Sequence, residues 1–341
     1  MTKPYRRLPA EWEPQSAIQL TFPHLQSDWA YLYDEVLPLF VHIAETIAQH
    51  QKVLVVCQDK ATVNPLLDKI PSDRYAVAEI PSNDTWARDH GGITVEIDGI
   101  NTILDFVFTG WGLKFPADKD NLITSKLHAL GILHAPILPG GLALEGGGIE
   151  SDGQGTLLTT SECLLSPNRN PHLNRSQTED HLKSIFGVDR VLWLDNGYLA
   201  GDDTDSHIDT LARFINPDTI AYVRCNDPAD EHYHALMLME AELQNFRTAN
   251  GTPYHLVPLP WPQTCLDPED GHRLPATYAN FLFINGAVLV PTYGVPQDNE
   301  ALELFRKLCP DREVVGIDCR LLIRQHGSLH CITMQYPVGV V

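Results

Sequence analysis

One supersecondary pattern recurs along this chain about five times: a strand, a turn, a second strand, a helix and a third strand. Apolar residues at helical spacing predict helices over 28–50, 119–130, 176–187, 229–248 and 298–308, with Leu182, Ile185 and Phe186 marking one such face. A short strand-like run follows each helix, at 52–56, 134–138, 190–194, 254–258 and 313–317. Ahead of the last four helices lie candidate hairpins: 93–97 with 102–107, 148–151 with 156–160, 210–215 with 219–222, and 280–284 with 288–291. Asp98-Gly99 and Asn285-Gly286 sit at two of the turns and supply the positive φ that tight hairpins need.

Such ββαβ-like units, recurring every ~50–60 residues with no long linker, predict a closed, propeller-like ring of pseudo-fivefold symmetry. A ring hides its sheet edges and leaves a functional site on its axis. The competing arrangement is two doubly wound halves, but no G-x-G-x-x-G follows a first strand and there is no P-loop. The Pro/Trp-rich run from Pro258 to Pro275 reads as a surface loop, either a lid or a plain insertion.

Composition narrows the partners. With 43% hydrophobic and 20% charged residues, the chain has the material for a real core. The 24 basic residues against 44 acidic give a net charge of −20, which argues against nucleic acid and suits a cationic substrate. A merely solvated acidic surface would look the same. The start, Met1 to Pro9, lacks an apolar signal core, and no run approaches the ~20 apolar residues of a membrane span. The expectation is a cytoplasmic protein that binds no membrane, with a homo-oligomer left open. The seven cysteines are scattered and form no C-x-x-C pair, so neither a disulfide framework nor a structural zinc site is expected.

Four clusters carry chemistry. Cys331 stands in Gly327-Ser328-Leu329-His330-Cys331-Ile332-Thr333, a thiol flanked by Gly, Ser and His. His207-Ile208-Asp209 reads as the start of a strand, whose period of two puts both polar side chains on one face. The loop before it offers Asp202, Asp203 and Asp205, as a rim for a ligand or as simple caps. Asn83 to Gly92 contains Trp86, Arg88 and Asp89, and its plain alternative is a polar turn with a buried Arg–Asp pair. Glu145 precedes Gly146-Gly147-Gly148; a tight turn explains the glycines but not the choice of Glu. Cys163 reads as core. Together, one Cys, one His, one Glu and two Asp make a set suited to attacking a cationic carbon.

These residues resemble the agmatine deiminase family, the Porphyromonas-type peptidylarginine deiminases of the guanidino-group-modifying superfamily. The resemblance runs from Glu11-Trp12-Glu13-Pro14 to His330-Cys331-Ile332-Thr333 and includes Asn168-Arg169-Asn170-Pro171. It implies an α/β fold, a five-bladed propeller (the pentein fold), with residues 1–341 as a single deiminase domain. It implies Cys331 as nucleophile, His207 as general acid/base with Glu145 as its partner, and Asp89 and Asp209 as the grip on a guanidinium. Trp86 and Asp203 would contact the rest of a small cationic guanidino substrate, and no metal or organic cofactor is implied. Gln325-His326-Gly327-Ser328-Leu329 departs from the family's usual Gly-Gly-Gly-Asn-Ile, which bears on the substrate tail.

The expected reaction is hydrolytic deimination through a covalent amidino-cysteine, with agmatine as substrate and peptidyl-arginine as the alternative. A cysteine protease has no use for paired carboxylates at its cleft. An amidinotransferase would pass the group to an amine rather than to water. A cation-binding module without turnover would suit the charge but leaves Cys331 and His207 unexplained.

Overall fold

A computed structural model describes residues 4–341; the first three residues of the start discussed above lie outside them. The described strands fall into five sheets. Each sheet repeats one order. Two antiparallel strands are followed by a helical crossover to a third strand, which pairs parallel with the second. The crossover helices are Tyr33–Ala48, Ile123–Ala129, Arg175–Phe186, Tyr233–Asn245 and Gln297–Leu308. The fold is α/β.

Local chemistry explains the pieces. The hairpin turn at Asp98-Gly99 takes φ of 49° and 81°, the left-handed pair that the Asp-Gly signal anticipates. The helix Arg175–Phe186 opens with a capping box, in which Asn174 and Gln177 satisfy each other's backbone N–H groups. Its buried residues are Thr178, Leu182 and Phe186, at helical spacing.

Three features depart from expectation. The run proposed at 134–138 is shifted, and the strand is Ile137–Ala143. It continues through Pro139-Gly140-Gly141, normally a stop signal, by means of a register shift opposite Asp105–Val107. A strand not anticipated, Tyr75–Glu79, extends the sheet of Lys52–Cys57. Finally, the leading strand of the first sheet comes from the far end of the chain: Thr333–Pro337 pairs antiparallel with Gln15–Thr21.

Charged residues from four sheets and a backbone N–H from the fifth meet at a buried hub. Glu11, only 6% exposed, lies 3.0 Å from Arg213 Nη2, 3.4 Å from Arg88 Nη2 and 2.6 Å from His330 Nε2. It also accepts from the backbone N–H of Phe283 at 2.8 Å. Arg213 reaches on to Glu150 at 3.1 Å and stacks over the Phe281 ring at 4.4 Å. Glu150, Arg213 and Phe283 lie on strands of three different sheets, and Arg88 and His330 sit just ahead of strands of the other two.

Among the described residues, no helix is long and apolar enough to cross a membrane. All seven cysteines are free, and only Cys265 is more than marginally accessible.

Arg213→Ala should leave Glu11 and Glu150 buried without their main counter-ion. The expected loss is about 3–5 kcal/mol of unfolding free energy, read from the midpoint of a urea denaturation curve.

Candidate active site

Asp89 lies in a single helical turn, Ala87–His90. The Arg88 N–H donates to the Cys331 carbonyl at 3.0 Å, so the segments bearing Asp89 and Cys331 are stitched together. Arg88 does not form the buried Arg–Asp pair considered from the sequence. Its guanidinium faces Glu11 and donates to Gln335 Oε1 at 2.6 Å.

His207 and Asp209 do not open a strand. Ile208–Thr210 is a 3-10 turn, and the strand starts at Ala212. The turn is closed by Thr210, whose N–H and hydroxyl both donate to the His207 carbonyl, at 3.2 and 2.8 Å. His207 and Asp209 nonetheless meet in one site, because the turn wraps both around Gly147. A Cβ on Gly147 would stand 2.5 Å from His207 Nδ1 and 2.9 Å from Asp89 Oδ1. Glycine here is a space requirement, and the Gly147 N–H donates to Asp89 Oδ1 at 3.2 Å.

The Cys331 thiol lies 3.8 Å from Asp209 Oδ2 and 3.4 Å from Asn280 Oδ1. Asn280 Oδ1 also accepts from the N–H groups of His330 and Cys331, at 2.8 and 3.3 Å. Asp209 Oδ2 is held by His330 Nδ1 at 2.7 Å. Among the described residues, Asp209 Oδ1 and both ring nitrogens of His207 are buried with no hydrogen-bond partner. Orphaned polar atoms concentrated in one place mark a ligand site.

Glu145 is completely buried and lies close to His207 and Cys163, with ligand atoms within 4.8 Å of one another. Its carboxylate is held by Arg169 Nε, at 3.1 and 2.8 Å, rather than by the imidazole. The direct hydrogen-bond partner of Glu145 is therefore Arg169, while its charge reaches the imidazole through space and favours the protonated ring. The trio is a poor cation site, because a guanidinium already lies against its only carboxylate and burial drives the Cys163 thiol far up.

The acidic rim expected from Asp202, Asp203 and Asp205 reduces to Asp203. Asp202 caps its own loop, accepting from Thr204 and Ser206. Asp205 is paired with Arg169 and Lys114, each at 2.6 Å. Asp203 lines a cavity of about 200 Å³ with Trp86, Asp89, Trp111, His326 and Cys331. Trp86 packs flat enough against Gly327 that a Cβ there would fall 2.1 Å from its ring.

A left-handed turn supplies two contacts that the sequence did not suggest. Gly110, Trp111, Gly112 and Leu113 have φ of 62°, 55°, 83° and 69°. This conformation is costly for Trp and Leu. It aims the Trp111 indole N–H at Asp89 Oδ2, 2.9 Å away, and delivers Lys114 Nζ to the Asp203 carbonyl at 2.5 Å. The signal available in sequence was Gly-Trp-Gly after a strand. Arg169 and Asn280 also escaped assignment, one within a quoted motif and the other at a hairpin start.

Electrostatics separate the two carboxylates. Burial, with Asp209 nearby, holds Asp89 well above the usual carboxylate range. Burial pushes Asp209 up too, but the hydrogen bond and charge of His330, with His207 and Arg213, bring it below its ordinary value. Burial lowers His207, so the ring favours its neutral form. Burial and the charges of Asp209 and Asp89 hold the Cys331 thiol well above its ordinary value.

The chain matches the Porphyromonas-type peptidyl-arginine deiminase family over residues 7–337. It belongs to that family. A crystal structure from Porphyromonas gingivalis, provisionally assigned as an arginine deiminase, is 55% identical with a TM-score of 0.93, covering 98% of this chain and 99% of that one. The agmatine deiminase of C. jejuni, solved as a cysteine-to-serine variant with substrate bound, is 38% identical with a TM-score of 0.93, covering 100% and 99%. The agmatine deiminase of Pseudomonas syringae pv. tomato is 34% identical, covering 97% of this chain and 95% of its own.

For this Porphyromonas-type deiminase the resting thiol should be sluggish. Alkylation of the Cys331 peptide by iodoacetamide, followed by mass spectrometry, should rise about tenfold per pH unit through the neutral range without a plateau. A plateau at or below neutral pH would contradict the burial argument.

Proposed function

We propose that the protein hydrolyses agmatine to N-carbamoylputrescine and ammonia. The observation that carries this reading is the meeting of Cys331 with two buried carboxylates: Asp89, which lines the same cavity, and Asp209, whose Oδ2 lies 3.8 Å from the thiol. A planar cation with a fork of N–H groups fits between two carboxylates and nothing else so well.

Asp209 Oδ1, the orphaned oxygen, and Asp89 receive the guanidinium N–H groups and turn the carbon toward Sγ. Binding the cation neutralises the charges that hold the thiol protonated, so the substrate itself readies the nucleophile. The thiol proton passes to His207, Sγ bonds to the guanidinium carbon, and His207 returns the proton to a terminal nitrogen. The C–N bond breaks and ammonia leaves, with an amidino group on Sγ. His207 then takes a proton from water, the oxygen bonds to the carbon, and the C–S bond breaks. The ureido product departs and the thiol regains its proton. Glu145, fixed by Arg169, favours the protonated imidazole that forms transiently.

We also infer that the five sheets close as a five-bladed α/β propeller, with residues 1–341 as one domain and the cavity at its axis. The hub that draws on all five sheets and the pairing of Thr333–Pro337 with Gln15–Thr21 support this. A cytoplasmic enzyme acting on a freely diffusing cation is part of the same reading, and it requires neither nucleic acid nor membrane.

Asp203 in the cavity wall favours a substrate tail ending in an ammonium, as in agmatine, and opposes a free carboxylate. The names of two relatives, both agmatine deiminases, agree. Peptidyl-arginine is the second reading, favoured by the description of the matched family. Comparing kcat/KM for agmatine, arginine and an arginine peptide decides between them, and a peptide that outcompetes agmatine overturns the substrate choice.

Cys331→Ser should release no measurable ammonia while unfolding like wild type. Asp89→Asn and Asp209→Asn should each cost about 2–5 kcal/mol of transition-state binding, read from kcat/KM. Binding should also move a proton. Asp89 is raised in the free protein, so a fraction is protonated, and an arriving guanidinium favours the ionised form. Agmatine binding to Cys331→Ser near neutral pH should therefore release protons, seen as a calorimetric heat that varies with the buffer's ionisation enthalpy.

A further inference from the structure

His330 precedes the thiol in sequence, yet it does not touch it. Its ring is 1% exposed and lies between two carboxylates. Nδ1 is 2.7 Å from Asp209 Oδ2, and Nε2 is 2.6 Å from Glu11 Oε2. Carboxylate oxygens facing both ring nitrogens at such distances match an imidazole that donates from each nitrogen, the doubly protonated form. Glu11 is in turn oriented by Arg88, Arg213 and the Phe283 N–H. The backbone of His330 is held as well, since its N–H donates to Asn280 Oδ1 at 2.8 Å.

We propose that Glu11 and His330 are positioning residues for the deimination reaction: the Glu11-oriented imidazolium of His330 takes Oδ2 of Asp209 and leaves Oδ1, ionised and correctly aimed, for the substrate guanidinium. The inference rests on the reading of Asp209 as a guanidinium carboxylate. It goes beyond it by assigning a function to a pair that makes no contact with substrate.

The geometry is more than a space-filling role requires of the pair. A core histidine needs one hydrogen bond from each nitrogen, and backbone carbonyls are the common acceptors. Here both acceptors are charged, and one of them is the carboxylate beside the thiol. Each group facing Asp209 has a separate task. Cys331 is the nucleophile, His207 is the proton carrier, and Asp89 is the opposing carboxylate. Arg213 and Arg88 belong to the hub and act on Asp209 only through space. Among the described residues the Asp209 side chain has two hydrogen-bond partners, the Cys331 thiol and His330, and His330 is the one that is not the nucleophile.

The test is a set of three variants and one measurement on the intact protein. His330→Asn removes the cation and the bridge. Glu11→Gln keeps the size of Glu11 but not its charge, whereas Glu11→Asp keeps the charge but not the size. Rates are normalised to folded protein. Without the cation, Asp209 holds its proton more strongly, and a protonated Asp209 binds a guanidinium poorly. The acid limb of kcat/KM should therefore move to higher pH in His330→Asn and Glu11→Gln, with KM for agmatine raised at least tenfold and kcat reduced less. Glu11→Asp should stay nearer to wild type than Glu11→Gln. An unmoved acid limb and unchanged KM in folded variants, or Glu11→Gln outperforming Glu11→Asp, overturns the proposal and leaves a packing role.

Neutron diffraction from the wild-type protein in heavy water decides the protonation independently of any variant's folding. Deuterium on both ring nitrogens of His330 and none on Asp209 is expected. A single deuterium on the ring, or one on Asp209, overturns the proposal. If the wild-type protein releases no ammonia from any guanidine, the reading of the reaction fails; the neutron result still decides whether His330 is the cation inferred here.

Discussion

Glu11 is a carboxylate taken almost wholly out of water, and everything central to this protein is arranged around making that tolerable. An isolated buried charge of this kind would cost several kcal/mol or neutralise itself. Here burial pushes Glu11 up, yet Arg213, His330 and Arg88 hold it well below the usual carboxylate range. Three carboxylates, Glu11, Glu150 and Asp209, face three cationic groups, Arg88, Arg213 and His330. The set is neutral only when complete; its charged members come from four of the five sheets, and the fifth contributes the Phe283 N–H. Losing one leaves the others with unbalanced charge, so the sheets are coupled by electrostatics as well as by packing. The hub lines a small cavity of about 60 Å³ through Glu11, Arg88 and Glu150. That cavity shares no lining residue with the one containing Cys331.

The site itself is balanced the opposite way. Asp89 and Asp209 act on each other's charge, and burial raises the one while His330 lowers the other. Environments that push two similar groups apart are a mark of functional sites. The left-handed turn at Gly110–Leu113 keeps Asp89 in place through Trp111, and the same turn fixes the Asp203 loop through Lys114. Backbone strain at Trp111 and Leu113 is thus used to hold two walls of one cavity at a set separation.

How much of this was legible in sequence follows from range. Hairpin turns and capped helices are local, and Asp98-Gly99, Asn285-Gly286 and the helix Arg175–Phe186 are where the pattern puts them. Strand limits fail where a local stop signal is overridden by pairing, as at Pro139-Gly140-Gly141. The turn at His207–Asp209 reads as a strand in sequence because two residues at spacing two fit either conformation. Cys331, Asp89, Asp209 and His207 are recognisable by type and motif, and the structure brings them together. Glu11, Arg169 and Asn280 are not recognisable in that way, since each matters only through partners distant in sequence. Glu11 and His330 are 319 residues apart, and Asn280 and Cys331 are 51 apart. No window along the chain contains such pairs.

The pairing of Thr333–Pro337 with Gln15–Thr21 also sets an order of events. Tyr336 donates to Gln19 across 317 residues, and bringing such distant segments together is among the slowest steps available to a folding chain. Cys331 is two residues ahead of that strand, and its N–H, its thiol and the neighbouring His330 find their partners only when the strand docks. A chain that has formed its other sheets but not this one therefore holds neither an aligned thiol nor a completed charge hub. Catalytic competence thus waits on that docking, so the gain of activity during refolding is a clock for the pairing of Thr333–Pro337 with Gln15–Thr21.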